Sequence, residues 1–322
     1  MSLISKKFKL IETIVSVSLF FLYVLNTHSQ SSTKEIIHES KQIRVKNDLL
    51  KITKTQHSRN YQNIKTLDSI ANYIKSEFVK VCDSTAFQPY KLKNNIYKNV
   101  IGSIGLQHKE RIIVGAHYDV CGNQQGADDN ASGVAGVLEL ARLLSKENLK
   151  YRIDFVAYTL EEPPFFGTEY MGSYVHAKYL HTNTIPVKGM VCLEMIGYYD
   201  DAKGSQQYPI PEMKLLYGDS ANFIVVVRNK KSKTFGAEIS KLMQEQKLIK
   251  TVDFEGTGLT TGINFSDHRN YLYFGFPAVM ITDTAFYRNK NYHTKNDTVE
   301  TLDIDKMCAV IQQLYLSIRE LK

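Results

Sequence analysis

The chain has 322 residues, 43% hydrophobic and 23% charged, with 20 tyrosines and no tryptophan. That balance excludes collagen-like, disordered and coiled-coil chains and allows a large buried core. The formal net charge is +7, but Lys6, Lys7 and Lys9 against Glu12 give residues 1–29 a net +2, leaving +5 spread along the rest. The one compact basic run, Arg228, Lys230, Lys231 and Lys233, reads as a solvated loop. No nucleic-acid-binding module accompanies it, so no nucleic-acid partner is expected.

Lys6, Lys7 and Lys9 precede an apolar stretch over Ile14–Leu25, followed by the small residues Thr27 and Ser29. This order describes a secretory signal peptide. The stretch is shorter than the ~20 residues a spanning helix needs, though an uncleaved anchor is the alternative. An extracytoplasmic protein, secreted or periplasmic, is therefore expected, with no other segment able to span a membrane. Cys82, Cys121, Cys192 and Cys308 permit two, one or no disulfides, and Cys192, in an apolar run, reads as a buried thiol.

Residues 30–60 read as a polar lead, helical in part, and residues 61–322 as one catalytic domain. Leu67, Ile70, Ile74 and Phe78 recur at helical spacing after Thr66. Residues 86–104 alternate as an edge hairpin would. From Arg111 onward, apolar runs at Ile112–Tyr118, Ile153–Tyr158, Val187–Met195, Phe223–Val227 and Pro277–Thr282 read as strands. Helical patterns lie between and after them, over Ser132–Ser145, Thr168–Leu180, Thr234–Gln246 and Asp303–Leu321. Such alternation predicts an α/β fold, with a mostly parallel mixed sheet flanked by helices on both faces.

Several motifs fail on inspection. His38-Glu39 begins an HExxH pattern, but Gln42 stands where the second histidine belongs. Gly256–Gly262 is glycine-rich without the spacing of a dinucleotide-binding loop. What remains is a set of acids and histidines at strand ends: His117 and Asp119, Asp128 and Asp129, Glu161 and Glu162, Glu194, and His293. Ligand sites in α/β sheets form beyond the carboxyl ends of the strands. Each residue has a bland reading alone, Asp128 and Asp129 (with Asn130) as helix caps and Glu161-Glu162 as a solvated turn. Glu194, flanked by Cys192, Leu193, Met195 and Ile196, would be buried and needs a partner. Together the set is the inventory of a two-metal site.

The segments GAHYD, GADDNASGVAG, EEPPFFGTEYMGS, LEMIGYY, SDHRNY and NYHTKNDTVETLD, in this order, resemble the M28 family of zinc aminopeptidases. The likeness runs from about Val100 to the carboxyl terminus and implies the zinc-aminopeptidase, phosphorylase/hydrolase-like fold. By motif position, His117 resembles a histidine ligand of one zinc, with Asp119 orienting its imidazole. Asp129 resembles the carboxylate bridging both metals. Glu162 resembles the terminal ligand of the first zinc and Glu161 the general base, on the view that adjacent side chains diverge. Glu194 takes the place of the second zinc's carboxylate, where many members carry aspartate, and His293 that of its histidine. The family also tends to have a cis peptide after the bridging aspartate, here Asp129–Asn130.

Two zinc ions per chain are thus implied. Three carboxylate ligands leave such a core net positive, so a bridging water would ionise near neutral pH and act as the nucleophile. Glu161 would take its proton and return it to the leaving amine. Asp267 and His268 are placed near the pocket, supporting ligands or touching substrate. Leu259, Phe265, Tyr271 and Phe286 are candidate apolar walls. The expected activity is removal of N-terminal residues from peptides with a free amino terminus. Three rivals stand beside it. A glutaminyl-peptide cyclotransferase is disfavoured because tryptophans that typically line its pocket are absent. An inactive binding or receptor module would have lost ligands or the base. A carboxypeptidase would need a cation such as Arg269 or Arg288 for the substrate's terminal carboxylate.

Overall fold

The computed structural model describes residues 41–256 and 260–322. Residues 1–29, read as a signal peptide, lie outside the described residues. Helix α1 covers residues 41–53, and from Val45 onward the chain forms one compact unit to Lys322. Within the segment read as a polar lead, Val45, Leu49 and Ile52 are fully buried in the core. Their spacing puts one apolar stripe on the helix, and Arg142 binds Asp48 at 2.6 Å beside it.

The sheet has eight strands: β1 (Ser84–Leu92), β2 (Asn95–Ile104), β3 (Arg111–His117), β4 (Arg152–Tyr158), β5 (Val187–Glu194), β6 (Phe223–Arg228), β7 (Lys250–Glu255) and β8 (Ala278–Thr282). Their order is β1-β2-β4-β3-β5-β8-β6-β7. β4, β3, β5 and β8 run parallel, so their carboxyl ends share one edge of the sheet. The β1–β2 hairpin is antiparallel on one flank, and β6 joins β8 antiparallel on the other. The mixed, mostly parallel α/β sheet matches the expectation.

Side chains alternate across a strand, and the two core clusters follow that alternation. Ile112, Val114 and Ala116 of β3 face a layer containing α2 (Ile64–Val79), α3 (Gly133–Leu144) and α8 (Ile304–Glu320). The α6 helix (Lys233–Gln246) adds Phe235, Ile239 and Met243 to that layer. Ile113 faces the opposite layer, with Ala177 and Leu180 of α4 (Gly172–Thr182) and Leu272 of α7 (His268–Tyr273). A single turn of helix, α5, covers Lys214–Tyr217. No helix among the described residues is long and apolar enough to cross a membrane. The basic run is partly neutralised: Arg228 binds Asp253 at 2.8 Å and also contacts Glu255. None of the four cysteines forms a disulfide, and Cys192 is buried.

Candidate metal centre

The sheet edge formed by the ends of β3, β4, β5 and β8 carries the candidate residues. His117 is the last residue of β3, and Glu194 the last of β5. Glu161 and Glu162 follow β4 by a short turn through Leu160, whose φ is +60. Asp129 lies in the turn between β3 and α3, where it and Asn130 leave helical geometry and are joined by a cis peptide. His293 comes from the loop after β8, with φ +55, and stacks on Tyr292 at 3.8 Å. Left-handed backbone is uncommon outside glycine and clusters at functional sites. Here Leu160, Met195 and His293 each adopt it at or beside a candidate ligand.

Two halves form around Asp129. His117 Nε2 lies 3.3 Å from Asp129 Oδ1 and 3.4 Å from Glu194 Oε2. His293 Nε2 lies 3.0 Å from Asp129 Oδ2 and 3.3 Å from Glu162 Oε2. The geometry therefore sets His293 with Glu162 and His117 with Glu194, correcting the pairing of His293 with Glu194 drawn from the resemblance. The loop after β8 returns over the end of β4, which linear order does not reveal. A second correction concerns Glu161 and Glu162. Their side chains converge: one ligand atom from each lies within 4.8 Å of the other and of His117. Asp119 causes this by accepting the backbone N–H of both, at 3.2 Å each. Asp119 also faces His117 Nδ1 across 3.6 Å, which is longer than a hydrogen bond.

The cluster is buried and crowded with like charge. Burial, and then the Asp129 carboxylate, push the Glu162 carboxyl up to about 8. Burial and the carboxylates of Glu162 and Glu194 hold Glu161 well above the usual range, against the pull of His117. Burial opposes charge on His117, yet Glu194 and Glu161 keep its imidazole protonated well above the ordinary value. Polar atoms are also orphaned: Glu162 Oε1 and His293 Nε2 are buried without a hydrogen-bond partner. His293 Nε2 is close to Asp129 and Glu162 without a hydrogen bond to either. Imidazole and carboxylate donors around Asp129 fit two divalent cations, and these donor types suit zinc.

Surrounding groups hold the donors. Asn130 Nδ2 donates to Leu193 O at 2.9 Å, and its Oδ1 accepts from Gly133 N and Met195 N. Ser266 Oγ donates to Glu194 Oε2 at 2.6 Å. Asp297 accepts the N–H of Asp128 and of Asp129. Gly126 precedes the turn with φ +58, and a Cβ there would meet Asp129 O at 2.2 Å. Asp128 turns away from the centre to bind Asn289 Nδ2 and Gly197 N. Asp267 and His268 are both buried, and both carboxylate oxygens of Asp267 lack a hydrogen-bond partner. Burial pushes Asp267 up to about 7, and His268 Nε2 bonds Ile263 O at 2.8 Å. Sequence alone did not point to Asn130, Ser266 and Asp297 in these roles.

An apolar cavity opens beside the centre, lined by Glu194, Val225, Met280, Phe265, Phe286 and Tyr292 among others. Phe265 and Phe286 are walls, as expected. Tyr271 is not: it is buried away from the cavity, its hydroxyl 2.6 Å from both Tyr158 Oη and His176 Nδ1. Leu259 lies outside the described residues. Arg288 is buried, bonding Gln206 Oε1 and Phe223 O, and Arg269 stacks on Phe166. Arg288 does not line the cavity, although its Nη2 is buried without a hydrogen-bond partner.

Comparison with known proteins agrees with this architecture. Residues 99–316 match the model of peptidase family M28. The chain is 44% identical over 268 residues to the uncharacterized protein YfbL of Escherichia coli, covering 81% of this chain and 82% of that one. It is 29% identical over 269 residues to a probable leucine aminopeptidase of Trichophyton verrucosum, covering 78% and 65%. The LapA aminopeptidase of Legionella pneumophila superimposes with a TM-score of 0.68 at 22% identity, over 90% of this chain and 76% of that one. A glutaminyl cyclase of Bacteroides thetaiotaomicron does so at 0.65 and 19% identity, over 88% and 98%. The fold is thus shared by two chemistries, while the family is settled by the match across most of the chain: this protein belongs to peptidase family M28.

Proposed function

We propose that the chain is an extracytoplasmic, metal-dependent aminopeptidase that hydrolyses the N-terminal peptide bond of peptides, with two zinc ions as cofactor. The observation that carries the reading is the convergence of His117, Asp129, Glu162, Glu194 and His293 at one sheet edge with Glu161 beside them. His117, Asp129 and Glu194 would hold one ion; Asp129, Glu162 and His293 would hold the other. Bound there, a zinc pair supplies Lewis acidity, lowering the pKa of water and polarising the scissile carbonyl.

The chain's own residues do the rest. Glu161 is buried, its Oε2 3.9 Å from His117 Nε2 and its backbone N–H bonded to Asp119, which leaves its carboxylate to take a proton from the attacking water. The proton it takes is the one it would then return to the leaving amine. Asp119 fixes the peptide units of Glu161 and Glu162 together, so base and ligand move as one body. The cavity seats the first side chain. Glu194 and Tyr292 line it, so a residue filling it presents its carbonyl between the two halves of the centre. The apolar walls favour a large apolar first residue, which agrees with relatives named probable leucine aminopeptidases.

The test is release of free amino acids from short peptides, with and without a strong chelator. Chelator-sensitive release that returns on adding zinc is expected; chelator-insensitive cleavage would sink the reading. A Gln-initiated peptide separates the cyclase rival, because loss of ammonia without hydrolysis would favour it. The absence of tryptophan stands against that rival.

A further inference from the structure

Cys121 lies in the loop after β3, four positions beyond His117. Its Sγ and a ligand atom from each of Glu162 and His293 all lie within 4.8 Å of one another. It is a free, half-buried thiol. Its loop is held on both sides: Val120 N donates to Arg59 O at 3.2 Å, and Asn60 Nδ2 donates to Gly122 O at 2.6 Å. The second observation is Glu162, only 4% exposed, whose Oε1 has no hydrogen-bond partner. A buried carboxylate oxygen left bare next to a thiol and an imidazole calls for a cation, because desolvating it unpaired is costly.

We propose that Cys121 Sγ is a sulfur donor to the metal ion held by Glu162 and His293. The inference rests on the reading of this cluster as a metal centre. Donors ~2.0–2.3 Å from one tetrahedral zinc lie ~3.3–3.8 Å apart, so the Cys121 side chain must rotate toward Glu162 and His293 on its fixed loop to close the set. On binding, the S–H bond breaks, the sulfur electron pair forms the metal bond, and the proton leaves to solvent. The two halves then differ in kind. His117, Asp129 and Glu194 offer only nitrogen and oxygen, while the Glu162–His293 half gains a soft thiolate that selects zinc or cadmium over harder ions.

Cobalt(II) loading of the purified chain tests this directly. Two bound cobalt ions with a near-ultraviolet sulfur-to-cobalt charge-transfer band are expected in the wild type. The band should vanish in Cys121→Ser while the visible cobalt bands remain, and persist in Cys82→Ser. Cadmium titration should show one of the two ions bound ~10-fold or more weakly in Cys121→Ser, about the size of a lost metal-site interaction. Two bound cobalt ions without the band would overturn the proposal while sparing the metal centre. A band that survives Cys121→Ser would overturn it too. A chain that binds no cobalt or zinc would bring down the metal centre and the proposal together. The wild-type spectrum reads the sulfur by itself, so the test does not depend on the variant folding.

Discussion

The Arg59 guanidinium donates from Nη2 to the carbonyl of Gly126, three residues before Asp129. Nε of the same side chain donates to Tyr118 O at 2.8 Å, and Nη1 to Gln125 O. A single buried cation thus closes the loop that starts beside His117 and ends at the central aspartate. It does so from a segment that reads as a polar lead. Burial lowers its pKa to about 10, with Asp297 and Asp129 opposing the shift, so it stays charged at neutral pH.

Arg59→Met should therefore destabilise the fold and loosen the centre at once. Buried Tyr118 O would lose its donor and part-buried Gln125 O would lose one too, while Gly126 O keeps the Ala131 N–H, at ~1–3 kcal/mol for a buried group left unsatisfied. A loss of ~1–3 kcal/mol in chemical unfolding, with weakened zinc retention on dialysis, is expected. Arg59→Lys should recover little, because an ammonium cannot make the forked contact. An unchanged unfolding midpoint in Arg59→Met would contradict the clamp.

Why Arg59 is invisible in the sequence is physical: its partners are backbone carbonyls, which no residue type encodes. Glu194, by contrast, is legible, because a carboxylate inside an apolar run has few places to go. The strands β3, β5 and β8 are legible for the same reason, each being a short apolar run buried on both faces. β7 carries Lys250, Asp253 and Glu255 as an edge strand, and its polar alternation hides it. The six-residue α7 is too short to show a period. The grouping of His293 with Glu162 is a fact about loops crossing in space, so linear order pairs it wrongly.

Glu161→Gln should keep its metal and lose turnover. The amide preserves shape but cannot accept the proton, and a general base contributes ~10²–10⁴ in rate. Metal content by elemental analysis should match wild type while kcat falls by about that factor. The opposite result, kept turnover with lost metal, would exchange the roles of Glu161 and Glu162, a swap their converging side chains make worth testing.

The cavity predicts its own selectivity. Val225 and Met280 line it from the sheet, so a leucine first residue gains burial that alanine does not, at ~0.8 kcal/mol per methylene. A kcat/KM ratio of leucine to alanine substrates of at least ~10 is expected. Val225→Phe should narrow the cavity and shrink that ratio by reducing leucine turnover while sparing alanine. A ratio unmoved by Val225→Phe would place the first side chain elsewhere.

His176 should set part of the acid sensitivity of the fold. It is buried on α4, with Nδ1 2.6 Å from Tyr271 Oη, which in turn lies 2.6 Å from Tyr158 Oη. Burial drops its pKa from 6.5 to about 4. Between those values the unfolded chain holds a proton at this site that the folded chain does not. Stability therefore rises with pH across the window: the contribution is fully present above 6.5 and is lost as pH falls toward 4. For one histidine the change amounts to ~3 kcal/mol. His176→Gln can still bond the Tyr271 hydroxyl but carries no titrating group. Urea unfolding at pH 7.5 and pH 5 should show a larger drop in wild type than in the variant. Equal drops would mean that the His176–Tyr271–Tyr158 chain admits the proton at little cost, by reorienting its hydroxyls to accept the new N–H.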